Sequence, residues 1–211
     1  MNMNELIVIL GSSDPIIYNS RASHAIKVFL EKIKINNNVY LMPKFYNDSW
    51  TLNHFEKTLP SYINNILKNG YSDYYRNGFT HDTITEALGT RFVIEKMFLF
   101  GTKVKLTIVT SECHEKRSRW IFNEIFKDCG WIELEFDSSL TTFVELNKNR
   151  YEVEDIILIN QYKEVKKNKN MINFINNCFN NKHYTHFYFK NLNNGLYSIE
   201  FEMYELNRKI R

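Results

Sequence analysis

The sequence predicts an α/β fold: a mostly parallel sheet with helices on both faces, followed by a C-terminal β-hairpin. Three observations carry that expectation. Short apolar runs rich in β-branched residues recur along the chain, each stopped by polar or glycine-containing turns. Between them, apolar residues recur at spacings of three and four, which gives helices one buried face. The order strand, helix, strand makes the connections too long for hairpins and defines the βαβ unit of a parallel sheet.

Taken in order, residues 5–10 (ELIVIL) form a continuous apolar run that reads as a buried first strand, stopped by Gly11-Ser12-Ser13-Asp14-Pro15. Asn19 and Ser20 are placed to cap a helix in which Ala22, Ala25, Ile26, Phe29, Leu30 and Ile33 share a face. Residues 39–42 (VYLM) are the second strand. Residues 51–68 keep helical spacing, divided by Pro60 and closed by Gly70, and residues 71–81 are irregular. A helix over 82–100 ends at Gly101, a strand covers 104–110, a helix 114–127 and, after Gly130, a strand 131–136. Residues 152–167 and 171–180 read as helices. Residues 186–190 and 196–204 then alternate around Asn193-Asn194-Gly195, a hairpin that adds strands to the sheet edge or packs against a helix.

Composition bounds the possibilities. With 211 residues, 44% of them hydrophobic, the chain can bury the core of one compact domain. Only 7 Gly and 3 Pro are present, without a Ser- or Pro-rich linker, so the expected organisation is an α/β domain over 1–182 with a hairpin extension over 183–211 packed on it. The net charge of +3 comes from 27 basic and 24 acidic residues, mostly scattered singly, and nucleic acid is not an expected partner. The one dense run, residues 163–169 (KEVKKNK), reads as a solvated helix end. Cys113, Cys129 and Cys178 are odd in number and lack short paired spacing, which fits a reduced, cytoplasmic setting. No apolar segment approaches the roughly 20 residues needed to span a bilayer, so a soluble protein without a membrane role is expected.

Three polar clusters follow apolar elements, and a doubly wound sheet places all of them at one edge, the carboxyl ends of its strands. The first is Gly11, Ser12 and Ser13 with Arg21, where glycine lets a backbone approach a phosphate or carboxylate. Its ordinary reading is a tight turn, since neither G-x-G-x-x-G nor a Walker lysine is present. The second is His81 to Ala87, in which Thr83 and Glu86 stand three apart, the spacing of a capping box or of two ligand contacts. The third is Thr110 and Ser111 with His114 and Arg117. The hydroxyls there suit a helix cap. His114 and Arg117 share a helical face, one able to move protons and the other to hold an anion in bidentate fashion. His81, Asp82 and His114 carry metal-binding groups but no paired spacing, and no metal is expected. Cys113 lies near a positive helix end, which lowers thiol pKa values, yet no Cys-His-Asn arrangement accompanies it. His24, His54, His183 and His186 read as structural.

In this order the motifs resemble the YdcF-like family (the SanA/ElyC group). The family pattern is an apolar strand ending in Leu-Gly, an arginine-led helix, a T-x-x-(N/E)-A helix start and V-T-S-x-x-H-x-x-R. It corresponds here to Ile7-Val8-Ile9-Leu10-Gly11, Arg21, Thr83-Ile84-Thr85-Glu86-Ala87, and Val109-Thr110-Ser111 with His114 and Arg117. The resemblance spans residues 6–136 and implies a Rossmann-like α/β fold whose ligand cleft is lined by these motifs. It also implies S-adenosylmethionine as a candidate cofactor and a role in bacterial envelope maintenance. Met42-Pro43-Lys44 stands where the family usually has S-G-G after its second strand, and the anchor of some envelope members has no counterpart here, which argues against the envelope role.

The expected function is binding of a small anionic, nucleotide-like ligand through Gly11, Ser12, Ser13, Arg21, Thr83, Glu86, Thr110, Ser111 and Arg117, with His114 as the proton-transfer residue. Hydrolysis or transfer at a phosphoryl or glycosyl-phosphate group suits donors beside a cation. Methyl transfer is the chemistry the resemblance adds. The competing expectation is a noncatalytic sensor or interaction module, in which the hairpin with Tyr184, Phe187, Tyr188, Phe189, Tyr197 and Phe201 pairs with a second copy as a homodimer.

Overall fold

Strand β1 (Asn4–Ile9) is buried along its last four residues, and Leu6 to Leu10 are each fully enclosed. A strand covered on both faces sits at the centre of a parallel sheet, which explains its continuous rather than alternating apolar pattern. Burial of each such side chain contributes about 1.5–3 kcal/mol. The computed structural model describes residues 3–12, 14–43, 83–99, 101–171, 173–174, 188–193 and 196–200, with the backbone alone at 85, 92, 96, 188–193 and 196–200. It divides into two compact units, Met1–Asp155 and Ile156–Arg211.

The first unit continues through α1 (Pro15–Ile33), β2 (Val39–Pro43), α2 (Thr83–Met97), β3 (Val104–Val109), α3 (Glu112–Phe126), β4 (Ile132–Phe136), α4 (Phe143–Asn147) and the first residues of α5 (Arg150–Lys167). Its four strands are all parallel in the order β2-β1-β3-β4. The chain therefore moves outward one way from β1 to β2 and the other way from β3 to β4. Right-handed crossovers then put α1 and α3 on opposite faces. Side-chain parity agrees. Ile7, Ile9, Leu41 and Val109 pack with Tyr18, Ala22, Ala25, Ile26 and Phe29 of α1. Phe136 belongs to the other parity, in register with Ile108 and so with Val8, and meets Phe122 of α3 edge-on at 6.1 Å. On that face Arg91 of α2, 1% exposed, donates to the Ile125 carbonyl of α3 at 2.6 Å and pairs with Glu95 at 2.9 Å.

The expected α/β class with a parallel sheet is thus the observed one, with local differences that have physical causes. Helix α1 begins at Pro15, not after Ser20: Asp14 is its N-cap, accepting from the Ile16 N–H at 3.0 Å, and Pro15 occupies the first turn. Proline there has no N–H to lose and a φ already suited to the helix. Helix α3 begins at Glu112, two residues before the expected start. Gly101 has φ +83 in the turn before β3, a conformation that L side chains rarely adopt, although α2 itself ends at Met97. The short helix α4 was not expected; it starts with a capping box between Thr142 and Glu145.

In the second unit, β5 (Tyr188–Asn193) and β6 (Leu196–Glu200) pair antiparallel as a two-stranded sheet. The aromatic face expected of that hairpin lies outside the described residues, as do the expected helix over 51–68, residues 71–81 and most of the helix over 171–180. Among the described residues no helix is long and apolar enough to cross a membrane.

Candidate functional site

The strand order reverses between β1 and β3, so the carboxyl ends of these two strands open the crevice where parallel α/β sheets hold ligands. Gly11 and Thr110-Ser111 lie just past those ends, bridged by a backbone bond from the Leu10 N–H to the Val109 carbonyl at 2.9 Å. Buried charged side chains converge on this edge from both layers of helices.

Arg21 comes from α1 and is 5% exposed. Its guanidinium donates to the Gly11 carbonyl at 2.7 Å, the Leu10 carbonyl at 3.2 Å and Ser111 Oγ at 2.8 Å, and it faces Glu145 Oε1 at 3.6 Å. Glu86 comes from α2 on the opposite face, and its Oε1 accepts from the Gly11 N–H at 2.7 Å. Gly11 is therefore held by one cation at its carbonyl and one carboxylate at its amide. Glu86 stands in the expected motif, with an oxygen committed across the sheet edge. Ser111 occupies the N-cap position of α3 without a side-chain cap bond, because its hydroxyl accepts from Arg21 instead. The first amides of α3 are served from elsewhere: Glu112 N donates to the Ser139 carbonyl, Cys113 N to Thr141 Oγ1 and His114 N to the Ser111 carbonyl. Ser12 Oγ accepts from the Asp14 N–H at 3.1 Å, and Ser13 lies outside the described residues. Thr110 is fully buried; its carbonyl accepts from Ser139 at both N and Oγ, while its hydroxyl has no hydrogen-bond partner among the described residues.

A second cluster adjoins the first. His114, 6% exposed, is 3.0 Å from Thr83 Oγ1 through Nε2 and 2.8 Å from Glu154 Oε2 through Nδ1. Burial is the main cause that pushes the imidazole down to about 4, with Arg117 and Arg21 adding to it and Glu154 opposing it. Burial alone would raise Glu154, but its bonds and charge attraction to His114 and Arg117 bring it down to about 2. At neutral pH the pair is thus a neutral imidazole beside a carboxylate, and a carboxylate only accepts. Nδ1 carries the proton and donates it to Glu154. Nε2 is left as an acceptor, and the Thr83 hydroxyl donates to it. Arg117 Nε donates to the same Glu154 oxygen at 2.5 Å, and Arg150 NH2 to the other at 2.6 Å. The 3.2 Å approach of Arg117 NH2 to Nδ1 is then a contact between two donors, the guanidinium reaching the shared carboxylate oxygen through Nε.

Of the sequence-predicted residues, Gly11, Arg21, Glu86 and Ser111 meet in one network, and Thr83, His114 and Arg117 in the other. Sequence reasoning passed over Glu145 and Glu154, 1% and 3% exposed, which supply the counter-charges. The Thr142-x-x-Glu145 spacing was a visible signal for the first. Its carboxylate accepts from Thr142 N and Oγ1, and although burial raises its pKa, those bonds together with Ser111 and Arg21 bring it below the usual range. Nothing distinguishes Glu154 in sequence from Glu152 or Asp155 beside it. Cys113 shifts opposite to the direction its helix end suggested: burial first, then the adjoining Glu145 carboxylate, push the thiol up to about 12, and Sγ donates to Glu145 at 3.4 Å. His24 pairs with Asp137 at 2.6 Å on the α1 side. Among the described residues no three His, Cys, Asp or Glu side chains are grouped to hold a metal ion.

Compared with known proteins, the chain matches no family model, no curated protein and no solved structure.

Proposed function

We propose that this chain is a cytoplasmic protein of the YdcF-like kind that binds a small anionic, nucleotide-like ligand at the carboxyl edge between β1 and β3 and acts on it by proton transfer through His114. The observation that carries the reading is the state of His114. It is neutral and held at both nitrogens, with Nε2 as a proton acceptor, beside the strand ends where such sheets bind ligands. A group with pKa near 4 stays in its basic form throughout the neutral range. Arg117 shares one oxygen of Glu154 with His114, and Arg150, with a side chain 37% exposed, holds the other; together they supply the cations that an anionic group of the ligand would share with that carboxylate. S-adenosylmethionine is retained as a candidate through the motif resemblance.

Thermal unfolding of the purified chain with nucleotides, sugar nucleotides, S-adenosylmethionine and phosphate esters tests the proposal. A ligand present at 100 times its Kd stabilises by about 2.7 kcal/mol. The expected result is a shift with at least one compound that Arg117→Lys weakens, because lysine keeps the charge without the guanidinium fork. Identical shifts in wild type and the Arg117 variant would place the ligand elsewhere, and no shift with any compound would defeat the ligand reading.

A further inference from the structure

The residues around His114 form a line in which a hydroxyl, an imidazole and a carboxylate follow one another: Thr83 Oγ1, His114 Nε2 and Nδ1, and Glu154 Oε2, at 3.0 and 2.8 Å. We propose that Thr83 is a nucleophile, activated by His114 and positioned through Glu154, and that the substrate is an acyl ester or thioester whose alcohol or thiol part carries the anionic group. This rests on the cleft reading above and deepens it.

The three parts come from different elements. Thr83 lies in α2, His114 in the first turns of α3, and Glu154 in α5. All three are nearly enclosed, at 3%, 6% and 3% exposure. A buried hydroxyl satisfied by an imidazole alone has an ordinary structural use. This imidazole, however, is itself fixed in one tautomer by a carboxylate that two arginines hold in place, the arrangement that makes a hydroxyl proton removable.

Charge balance selects the electrophile. Among the described residues, the buried carboxylates Glu86, Glu145 and Glu154 are matched in number by Arg21, Arg117 and Arg150. A phosphoryl centre would bring its own negative oxygens against three carboxylates. An acyl carbon arrives neutral and gains a single charge only at the tetrahedral stage. In the forward step Thr83 Oγ bonds to the acyl carbon as its proton passes to His114 Nε2. The C–O or C–S bond then breaks, and the same proton leaves with the alcohol or thiol. Water attacks the threonyl ester in the second half, giving a proton to His114 and receiving the acyl group, after which the proton returns to Thr83. No oxidant or reductant is required.

The test uses the full chain with p-nitrophenyl acetate, small enough for an enclosed site, read by burst kinetics and by mass spectrometry of the acid-quenched protein. The expected result is release of p-nitrophenolate with an acetyl group mapped to Thr83, or turnover without accumulation when the second step is faster. Thr83→Val, of closely similar shape, abolishes the reaction, Thr83→Ser restores it, and His114→Ala slows it by roughly a hundredfold or more. Acetyl placed elsewhere, a folded Thr83→Val protein reacting like wild type, or no reaction above the uncatalysed rate overturns the assignment. Ligand stabilisation measured on the same samples separates the two levels: stabilisation lost on Arg117→Lys with no reaction at Thr83 removes the nucleophile and leaves the cleft, whereas loss of both removes the cleft as well.

Discussion

Arg21 ties the sheet edge together: one guanidinium serves two strand-end carbonyls, the Ser111 hydroxyl and the Glu145 carboxylate. Arg21→Met keeps much of the volume and leaves Glu145 buried without its cation, so it is expected to cost about 3–5 kcal/mol. Chemical denaturation measures this, and a loss below 1 kcal/mol would mean the network relaxes around the gap. Most of this site was legible at the residue level, because Gly11, Arg21, Thr83, Ser111, His114 and Arg117 all lie at or near the ends of strongly patterned elements. Glu154 was not legible. On an isolated helix a carboxylate reads as solvent-facing, and only the tertiary approach of α5 to α3 makes this one buried and pairs it with His114 and Arg117.

At the scale of elements, apolar runs marked the four parallel strands to within a residue or so, since a strand covered on both faces has no polar alternation to confuse its limits. Helix starts were harder, because the same residue types both stop strands and open helices. Asp14-Pro15 reads as the end of β1 and serves as the cap and first turn of α1. Asp14→Ala should therefore destabilise the chain by about 1 kcal/mol through loss of the cap bond to Ile16. Equilibrium unfolding checks it, and an unchanged midpoint would assign that bond no net value. Helix α4 escaped notice since five residues are too few to show a period, although its capping box was present in the sequence.

For the whole molecule, the buried His114–Glu154 pair links folding to pH. Between pH 6.5 and about 4 the unfolded chain protonates His114 and the folded chain does not, so stability falls as the pH drops through that window. The groups facing His114 are Thr83 from α2, Arg117 on its own helix, Glu154 from α5 and the more distant Arg21 from α1. Glu154 continues the same trend lower down, losing its contribution between its ordinary value of 4.5 and about 2. The two combine in one direction, and the His114 part alone amounts to about 3 kcal/mol. His114→Gln should flatten the stability curve between pH 6.5 and 4 and shrink the lower limb as well, since His114 is foremost among the groups that hold Glu154 down. An unchanged slope in that variant would assign the pH dependence to other groups.

The central claim is that His114 is a neutral base poised on the Thr83 hydroxyl, and long-range proton–nitrogen NMR correlation of its imidazole tests that most directly. The predicted spectrum at neutral pH shows a protonated Nδ1 and an unprotonated Nε2, persisting until the ring titrates near 4. A ring protonated at Nε2, or one that averages between tautomers and titrates near 6.5, would contradict it.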